Sequence, residues 1–414
     1  FVEACVIPHF WHIFQGGKYQ RQAGQHYASS LDEIARYAPD YWKQDFSSAK
    51  PKPAYHPYVF DDIKTHGDHL HYLGSRPHAG NNRSDSAGGG HAHAGLMIYQ
   101  GDSWPKEYIG KMFIGNIHGQ RINMDIPTRS GSGFVGEHGP DFLNFNDSWS
   151  QMINLRTDQN GSVLMIDWYD RNQCHRREEG AHDRSNGRIY KVSYNNQKWS
   201  GVDMARARNM GLVISLSSPN VFQYRHALRR LQEDALAGKL KAEVREYLKG
   251  EVGLAGVPIP QHRLLKFSTE PGKLRVLWAL HVTGGITDEE GLTLLRYPGE
   301  HFRAWVIQLL LEDRDPSQSI LDALAKMARE DKSPLVRLYL ASACRRMTIK
   351  QRVPILEGLL SHGEDADDHN LPLMYWYAIE PVVGSNRLTG VKLLTKTKIP
   401  AVRQHITRRM ASGE

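Results

Sequence analysis

Residues 78–126 read HAGNNRSDSAGGGHAHAGLMIYQGDSWPKEYIGKMFIGNIHGQRINMDI. The stretch begins with a loop rich in Gly, Asn and Ser that ends at His91 and His93, and it continues as a short apolar strand. Two segments of alternating apolar and polar residues follow, at 111–116 and 121–126, and a His-Gly pair joins them as a hairpin. A strand, a polar loop and a hairpin in this order are typical of a radial β-sheet unit whose loops gather over one face.

A second copy of this unit follows the first. The segment GKMFIGN, which starts at Gly110, has a counterpart in GSVLMIDW, which starts at Gly161, an offset of 51 residues. Each copy precedes a strand that opens with Arg-Ile. Propeller blades repeat at roughly 40–50 residues, so the offset is slightly long for a blade. The pattern nevertheless favours a partial β-propeller, and we expect residues 1–217 to form its C-terminal blades.

The hydrophobic period changes from two to three or four after about Ser217, which indicates amphipathic helices. Similar helical segments then recur around four arginines: Arg275, Arg303, Arg337 and Arg403. Helix pairs that cannot bury their apolar faces alone must stack, which gives an α-solenoid. The recurrence therefore predicts HEAT-like helical repeats over residues 218–414, with the arginines bridging neighbouring repeats rather than performing chemistry.

The composition of the chain bears on three classes of protein: membrane-spanning, nucleic-acid-binding and haem-binding. The chain has 414 residues, 40% hydrophobic and 23% charged, with a formal net charge of +7. No apolar run approaches the roughly 18–20 residues of a membrane span, and the Lys and Arg residues form no cluster of nucleic-acid-binding type. The three cysteines form neither CxxC nor CxxCH, so the sequence supports no haem in this chain. Because Phe1 opens inside an apolar segment, we expect a fragment or processed product whose start is missing.

Histidine is the residue type that first suggests chemistry, because 14 of the 21 histidines lie before residue 183. In an extended segment His91 and His93 would point to the same face, which suits a shared metal ion or a proton acceptor. The alternative is that both are hydrogen-bonded loop residues without a chemical role.

Polar residues near these histidines extend the candidate site. Asp167 ends a strand at the loop face, where it could act as a general base or a calcium ligand, and Trp168 could contact a substrate or only pack. Asn82, Arg83 and Asp85 precede the histidine pair. Arg83 could clamp a carboxylate or a quinone oxygen, although a loop ion pair is the simpler interpretation.

Two stretches carry a resemblance to a known family. They are GHAHAGLMIYQGDSWPKEYIGKMFIGNIHGQRI at 90–122 and NGSVLMIDWYD at 160–170, the latter continuing to HDRSNGRIYKVSY at 182–194. The chain resembles the large proteins classed as membrane-bound dehydrogenases in planctomycete-type bacteria. Their propeller is similar to that of the quinoprotein glucose/sorbosone dehydrogenases. In that family HEAT-like repeats follow the propeller, and a cytochrome c domain with CxxCH usually follows the repeats.

The resemblance implies a quinoprotein-like oxidoreductase that acts on a sugar or another alcohol, in the periplasm or at the cell surface. The implied cofactors are pyrroloquinoline quinone and calcium, and the helical repeats would dock a cytochrome or another protein for electron transfer. His91 or His93 would take the hydroxyl proton, and Asp167 would orient it or bind a metal.

Two other hypotheses remain open. In the first, the chain is a non-catalytic scaffold that binds a glycan or a protein. In the second, the His/Asp cluster performs metal-dependent hydrolysis.

Overall fold

The computed structural model describes residues 1–3, 10–19, 59–60, 63, 93–117, 119–172, 178–195, 203–254 and 267–412. Three small sheets come first in these residues, and twelve α-helices follow. The coarse order expected from the sequence, strands and then helices, is confirmed. Each sheet is open at its edges within the described part of the chain.

The largest sheet contains the hairpin on which the sequence argument began. Its strands are β3 (His93–Ile98), β4 (Met112–Asn116), β5 (Arg121–Ser130), β6 (Gly133–His138) and β7 (Leu143–Asn144). The first four lie in the order β3-β4-β5-β6, all antiparallel, and β7 pairs with β5. The predicted pairing of 111–116 with 121–126 is therefore confirmed.

The second copy of the unit forms a three-stranded antiparallel sheet. Its strands are β8 (Met152–Thr157), β9 (Val163–Asp167) and β10 (Arg188–Val192), in the order β10-β9-β8. Asp158 fixes the β8–β9 turn, since its carboxylate accepts hydrogen bonds from the N–H groups of Asn160 and Ser162 at 2.8 and 3.0 Å. A third, two-stranded sheet pairs β1 (Val2–Glu3) with β2 (Phe10–Trp11).

The two larger sheets pack face to face around an apolar cluster. Its fully buried members include Phe113 and Ile122 from the five-stranded sheet and Val163 from the three-stranded sheet. Glycines bring the backbones close, because a Cβ on Gly115 would lie 2.6 Å from the carbonyl oxygen of Met152. A side chain at this position would push the sheets apart.

The helical part begins at residue 209. Its helices are α1 (Asn209–Ser215), α2 (Val221–Leu236), α3 (Ala242–Glu251), α4 (Glu270–Val282), α5 (Asp288–Leu294), α6 (Glu300–Leu310), α7 (Gln318–Glu330), α8 (Pro334–Ala343), α9 (Ile349–Leu359), α10 (Leu371–Ser385), α11 (Arg387–Lys396) and α12 (Pro400–Ala411). Side-chain caps start many of them. Thr287 and Thr348 form capping boxes, and Ser333 caps α8 just before its first-turn proline.

Two of the four recurrent arginines bond to the segment that follows the next helix. Arg303 in α6 makes two hydrogen bonds to the carboxylate of Asp331, at 2.9 and 3.0 Å. Arg337 in α8 makes the same pair of bonds to Asp365, at 2.8 and 2.5 Å. In each case the aspartate lies 28 residues further along the chain. The arginines therefore hold the next part of the helical array in place.

The sheets are attached to the helices through buried polar contacts. Asp368, just before α10, accepts hydrogen bonds from the backbone N–H and the hydroxyl of Ser132 in the β5–β6 turn, at 2.7 and 2.6 Å. The ring of His12 lies 5.1 Å from that of Phe134 in β6. The sheets and the helices thus share an interface that contains ionisable groups.

We expect Arg337→Met to lower the free energy of unfolding by about 3–5 kcal/mol, because it leaves the buried Asp365 carboxylate without its cation. Arg337 is 3% exposed and Asp365 2% exposed. Urea unfolding followed by helical circular dichroism measures the change. The matched control is Lys326→Gln, which removes an exposed cation 3.9 Å from Glu330 and should have little effect. Equal effects of the two substitutions would contradict this account.

Stability should fall as the pH drops below 6.5, because burial lowers the pKa of His12 to about 4. Neighbouring positive groups lower it further: Arg129, His369 and His301. As the pH falls, His12 is protonated in the unfolded chain before it is protonated in the folded chain. The free energy of unfolding should therefore fall by about 2–3 kcal/mol between pH 6.5 and 4.

The measurement is a series of unfolding curves across this pH range. His12→Gln should remove this part of the pH dependence, whereas His226→Gln, on the exposed side of α2, should retain it. A pH profile of His12→Gln identical to that of the unmodified chain would count against the argument.

Candidate functional site

One face of the five-stranded sheet is polar and buried. Along β5, Arg121, Asn123 and Asp125 alternate with the apolar Ile122 and Met124, so the three polar side chains share a face. Side chains from neighbouring strands and loops join them. We call this set the polar face: His93, Asn116, Arg121, Asn123, Asp125, His138 and Asp141.

Asn123 lies at the centre of the polar face. Its side-chain N–H donates to Asp141 at 2.6 Å, and its side-chain oxygen accepts from Asn116 at 2.8 Å. The same oxygen lies 3.1 Å from Nε2 of His93. The amide orientation is therefore fixed by a donor on one side and an acceptor on the other.

This arrangement selects one tautomer of His93. The Asn123 oxygen only accepts hydrogen bonds, so Nε2 of His93 must carry the proton. In the neutral ring the lone pair then resides on Nδ1. His93 is 5% exposed. The chain thus holds a buried imidazole in a form that can accept a proton at a defined atom.

The charged members of the polar face form a compact network. Arg121 donates to Asp141 at 2.5 Å. The ring of His138 lies between Asp125 and Asp141, with nitrogen–oxygen distances of 3.3 and 3.4 Å. Burial lowers the pKa of His138, but the hydrogen bonds to the two carboxylates outweigh it and the net pKa is raised. Two basic groups therefore face two carboxylates.

Asp167 belongs to the three-stranded sheet and has partners of its own. Its carboxylate accepts from the N–H groups of Gln151 and Tyr169 at 2.7 and 2.9 Å, and from the hydroxyl of Ser150 at 3.1 Å. It is 1% exposed, while the neighbouring Trp168 is 50% exposed. The contacts of Asp167 hold the loop that follows β9, and its partners differ from those of His93.

The other predicted site residues lie outside the described residues. They are Asn82, Arg83, Asp85 and His91. Their proposed roles, and the His91–His93 metal pair, stay predictions. Among the residues that the structure describes, no group of three or more His, Cys, Asp or Glu side chains is arranged to hold a metal ion.

The polar face does not suit pyrroloquinoline quinone. This quinone carries three carboxyl groups and would need a surplus of positive charge. The described polar face balances Arg121 and His138 against Asp125 and Asp141. We therefore assign no quinone step to these residues, and the cofactor prediction still depends on the segment around Arg83.

A groove of about 680 Å³ lies where the two larger sheets meet α2. We call it the sheet–helix groove. Its polar lining includes Gln100, Asn154, Arg156 and Arg225, and its apolar lining includes Leu96, Ile98, Leu164 and Phe222. A cavity of this size and mixed lining is typical of a small-molecule site.

One of these two sites, the polar face, is marked by a pattern in the sequence. The alternation Arg-x-Asn-x-Asp at 121–125 predicts polar side chains on one face of a strand whose intervening residues are apolar. This pattern indicates the polar face, whereas the prediction from the histidines did not include it. No local sequence pattern indicates the sheet–helix groove. Its walls come from β3, β8 and α2, which are far apart in the sequence.

Part of the chain matches a protein-family model. Residues 15–196 match the model of a family described as a domain of unknown function, DUF7133. The matched range includes β3 to β10, and it ends before α1. No curated protein matches the chain. Across the described residues, the helices are too short or too polar to cross a membrane.

We expect Asp167→Ala to destabilise the chain by about 2–3 kcal/mol, because two backbone N–H groups and one hydroxyl lose their acceptor. Asp167→Asn should cost much less, since the amide oxygen can still accept from the backbone. Thermal unfolding of both variants tests this expectation, with Asp315→Ala, at an exposed position, as the control. Equal destabilisation by Asn and Ala would show that the carboxylate charge itself is required.

Proposed function

We propose that this chain binds a sugar or another alcohol in the sheet–helix groove. The observation that carries the proposal is the groove's composition. Planar amide and guanidinium groups at Gln100, Asn154 and Arg156 stand beside apolar surface from Leu96 and Phe222. Such groups can form paired hydrogen bonds to adjacent hydroxyls, while the apolar surface accepts the C–H face of the ligand.

The frame of the groove is fixed before any ligand binds. The N–H of Val221, the first residue of α2, donates to the carbonyl of Gln100 at 2.8 Å. Tyr224, one turn further, donates its hydroxyl to the Gln100 side chain at 3.1 Å. A groove held in this way loses little conformational freedom on binding, which favours affinity.

The proposal includes the finer architecture expected from the sequence. The β3-β4-β5-β6 order supports assigning the sheets to blades of a β-propeller. For the helices, Arg303, Arg337 and Arg403 each donate to the carbonyl six residues earlier, at 2.8–2.9 Å. A contact repeated at equivalent positions supports HEAT-like repeats, which would dock a cytochrome or another protein.

A second candidate function is oxidation of the sugar or alcohol. It would take place at the polar face and not in the groove, whose lining does not include His93. It is favoured by the tautomer of His93, whose Nδ1 would take the hydroxyl proton while the carbon gives up hydride to an external electron acceptor. The resemblance to glucose/sorbosone dehydrogenases also favours oxidation of a sugar or alcohol. The same resemblance is the basis for proposing a periplasmic or cell-surface location. In the first candidate function, by contrast, the chain binds the sugar or alcohol without converting it.

Calorimetric titration of the chain with a panel of sugars and sugar alcohols tests binding. At least one ligand should bind, and Arg156→Gln should weaken that binding about tenfold through the loss of a charged donor. Leu236→Ala, on the same helix as Phe222 but 82% exposed, should bind like the unmodified chain. Failure of every sugar, or unchanged binding by Arg156→Gln, would refute the groove as the site.

Dye-reduction assays separate the two candidate functions. With pyrroloquinoline quinone, calcium and the bound sugar present, an oxidoreductase should reduce the dye, and His93→Gln should lose turnover while it retains sugar binding. Sugar binding without any turnover would leave the non-catalytic scaffold as the function.

A further inference from the structure

Two arginines line the sheet–helix groove, one from the sheets and one from α2. Arg156 is on β8 and pairs across to Leu164 on β9, so the two side chains share a face, and both line the groove. Arg225 is on α2, one turn beyond Phe222, and both of these residues line the groove as well. Each arginine is at an exposed position. The two walls of the groove therefore each bring one guanidinium group to the same cavity.

Neither guanidinium makes a hydrogen bond or an ion pair with another described residue. The next arginines on α2 differ in this respect. The guanidinium of Arg229 lies 2.9 Å from the carboxylate of Glu233, and that of Arg230 lies 3.5 Å from a carboxylate one turn further on. Arg225 has no carboxylate one turn away in either direction, and Arg229 stands four residues after it as a like charge. The ion pairs along α2 therefore do not occupy Arg225.

The carboxylate nearest to Arg156 in the chain is occupied by other partners. Asp158 follows β8 and is the one acidic residue among the described residues that line the groove. One of its oxygens lies 2.8 Å from Nζ of Lys191 on β10. The other oxygen accepts from two backbone N–H groups of the β8–β9 turn. Because Lys191 offsets the charge of Asp158, the guanidinium of Arg156 stays available to a ligand.

The helix that carries Arg225 is held in place beside the groove. Tyr224, the preceding residue, donates its hydroxyl to the side chain of Gln100 at 3.1 Å. The guanidinium carbon of Arg275, from α4, lies 3.8 Å from the centre of the Tyr224 ring. The backbone of Arg225 is thus positioned before a ligand arrives, which lowers the entropic cost of binding one.

We propose that the sugar bound in the sheet–helix groove is an acidic one, whose carboxylate or phosphate group is held by Arg225 with Arg156 as a second cation. This inference rests on the proposed sugar binding and specifies the class of sugar. A guanidinium matches either anion through paired, charge-assisted hydrogen bonds. The amides of Gln100 and Asn154 remain for the ring hydroxyls. The groove volume of about 680 Å³ admits a monosaccharide with such a group.

The test compares each neutral sugar with its acidic forms by calorimetric titration of the full chain at two salt concentrations. The probes are glucose, glucuronate and glucose 6-phosphate, and the corresponding three forms of galactose. The variant is Arg225→Gln. Its matched control is Arg229→Gln, which removes an arginine from the same helix whose side chain is 76% exposed and does not line the groove. Both substitutions are at exposed positions, so both variants should fold.

We expect at least one acidic form to bind about tenfold more tightly than its neutral parent, because a charged hydrogen-bonding pair is added. Arg225→Gln should remove most of this preference, and Arg229→Gln should retain it. Higher salt should also reduce the preference, since it screens charges at exposed positions. Tighter binding of the uronate identifies a carboxylate as the recognised group, and tighter binding of the ester identifies a phosphate.

Two results would overturn the inference while sugar binding itself stands. In the first, the neutral sugars bind as tightly as both of their acidic forms. In the second, Arg225→Gln keeps the full preference for the acidic form. If no sugar binds at all, the proposed function fails and this inference fails with it.

Discussion

One buried amide links the start of α2 to both of the larger sheets. Asn220 is fully buried, and its side-chain oxygen accepts the N–H of Phe222 at 2.9 Å to start α2. Its side-chain N–H group donates to Asp102 at 3.2 Å and to the carbonyl of Gln159 at 3.1 Å, in loops of the two larger sheets. An amide can serve as helix cap and as donor to both sheets at once, because it carries an acceptor and a donor. The sheet–helix groove exists because this junction fixes α2 against the strands.

The five-stranded sheet shows how much the surroundings of a strand can differ between its faces. Ile122 on β5 packs into the core between the sheets, whereas Asn123 beside it points to the polar face. Burying charged groups is unfavourable unless they are paired and hydrogen-bonded. Arg121 with Asp141, and His138 with the two carboxylates, meet that condition. The polar face is thus a coherent network, and His93 is its most chemically suggestive member.

In the helical part, apolar packing holds the helices together and polar contacts fix their relative positions. Continuous apolar packing runs from Leu212 in α1 to Ile406 in α12. Such packing is non-directional, and it does not by itself fix how far one helix slides along the next. Paired hydrogen bonds have a defined geometry, so those from Arg303 to Asp331 and from Arg337 to Asp365 limit this sliding.

Local structure in this chain follows from the sequence. The alternation in β4 and β5, the Asp158 turn and the proline-started helices α8 and α12 were all predictable, because each depends on residues close together in the chain. What only the tertiary structure decided is which side chains meet. The partner of His93 is Asn123, the carboxylate of Asp167 accepts from Ser150 and Gln151 just before β8, and Leu96 and Phe222 line one groove. Arg156 and Arg225 line the same groove although they lie on a strand and a helix that are far apart in the sequence. Periodicity records which face of an element is apolar, but it carries no information on which distant element covers that face, so the sites could not be read from the sequence alone.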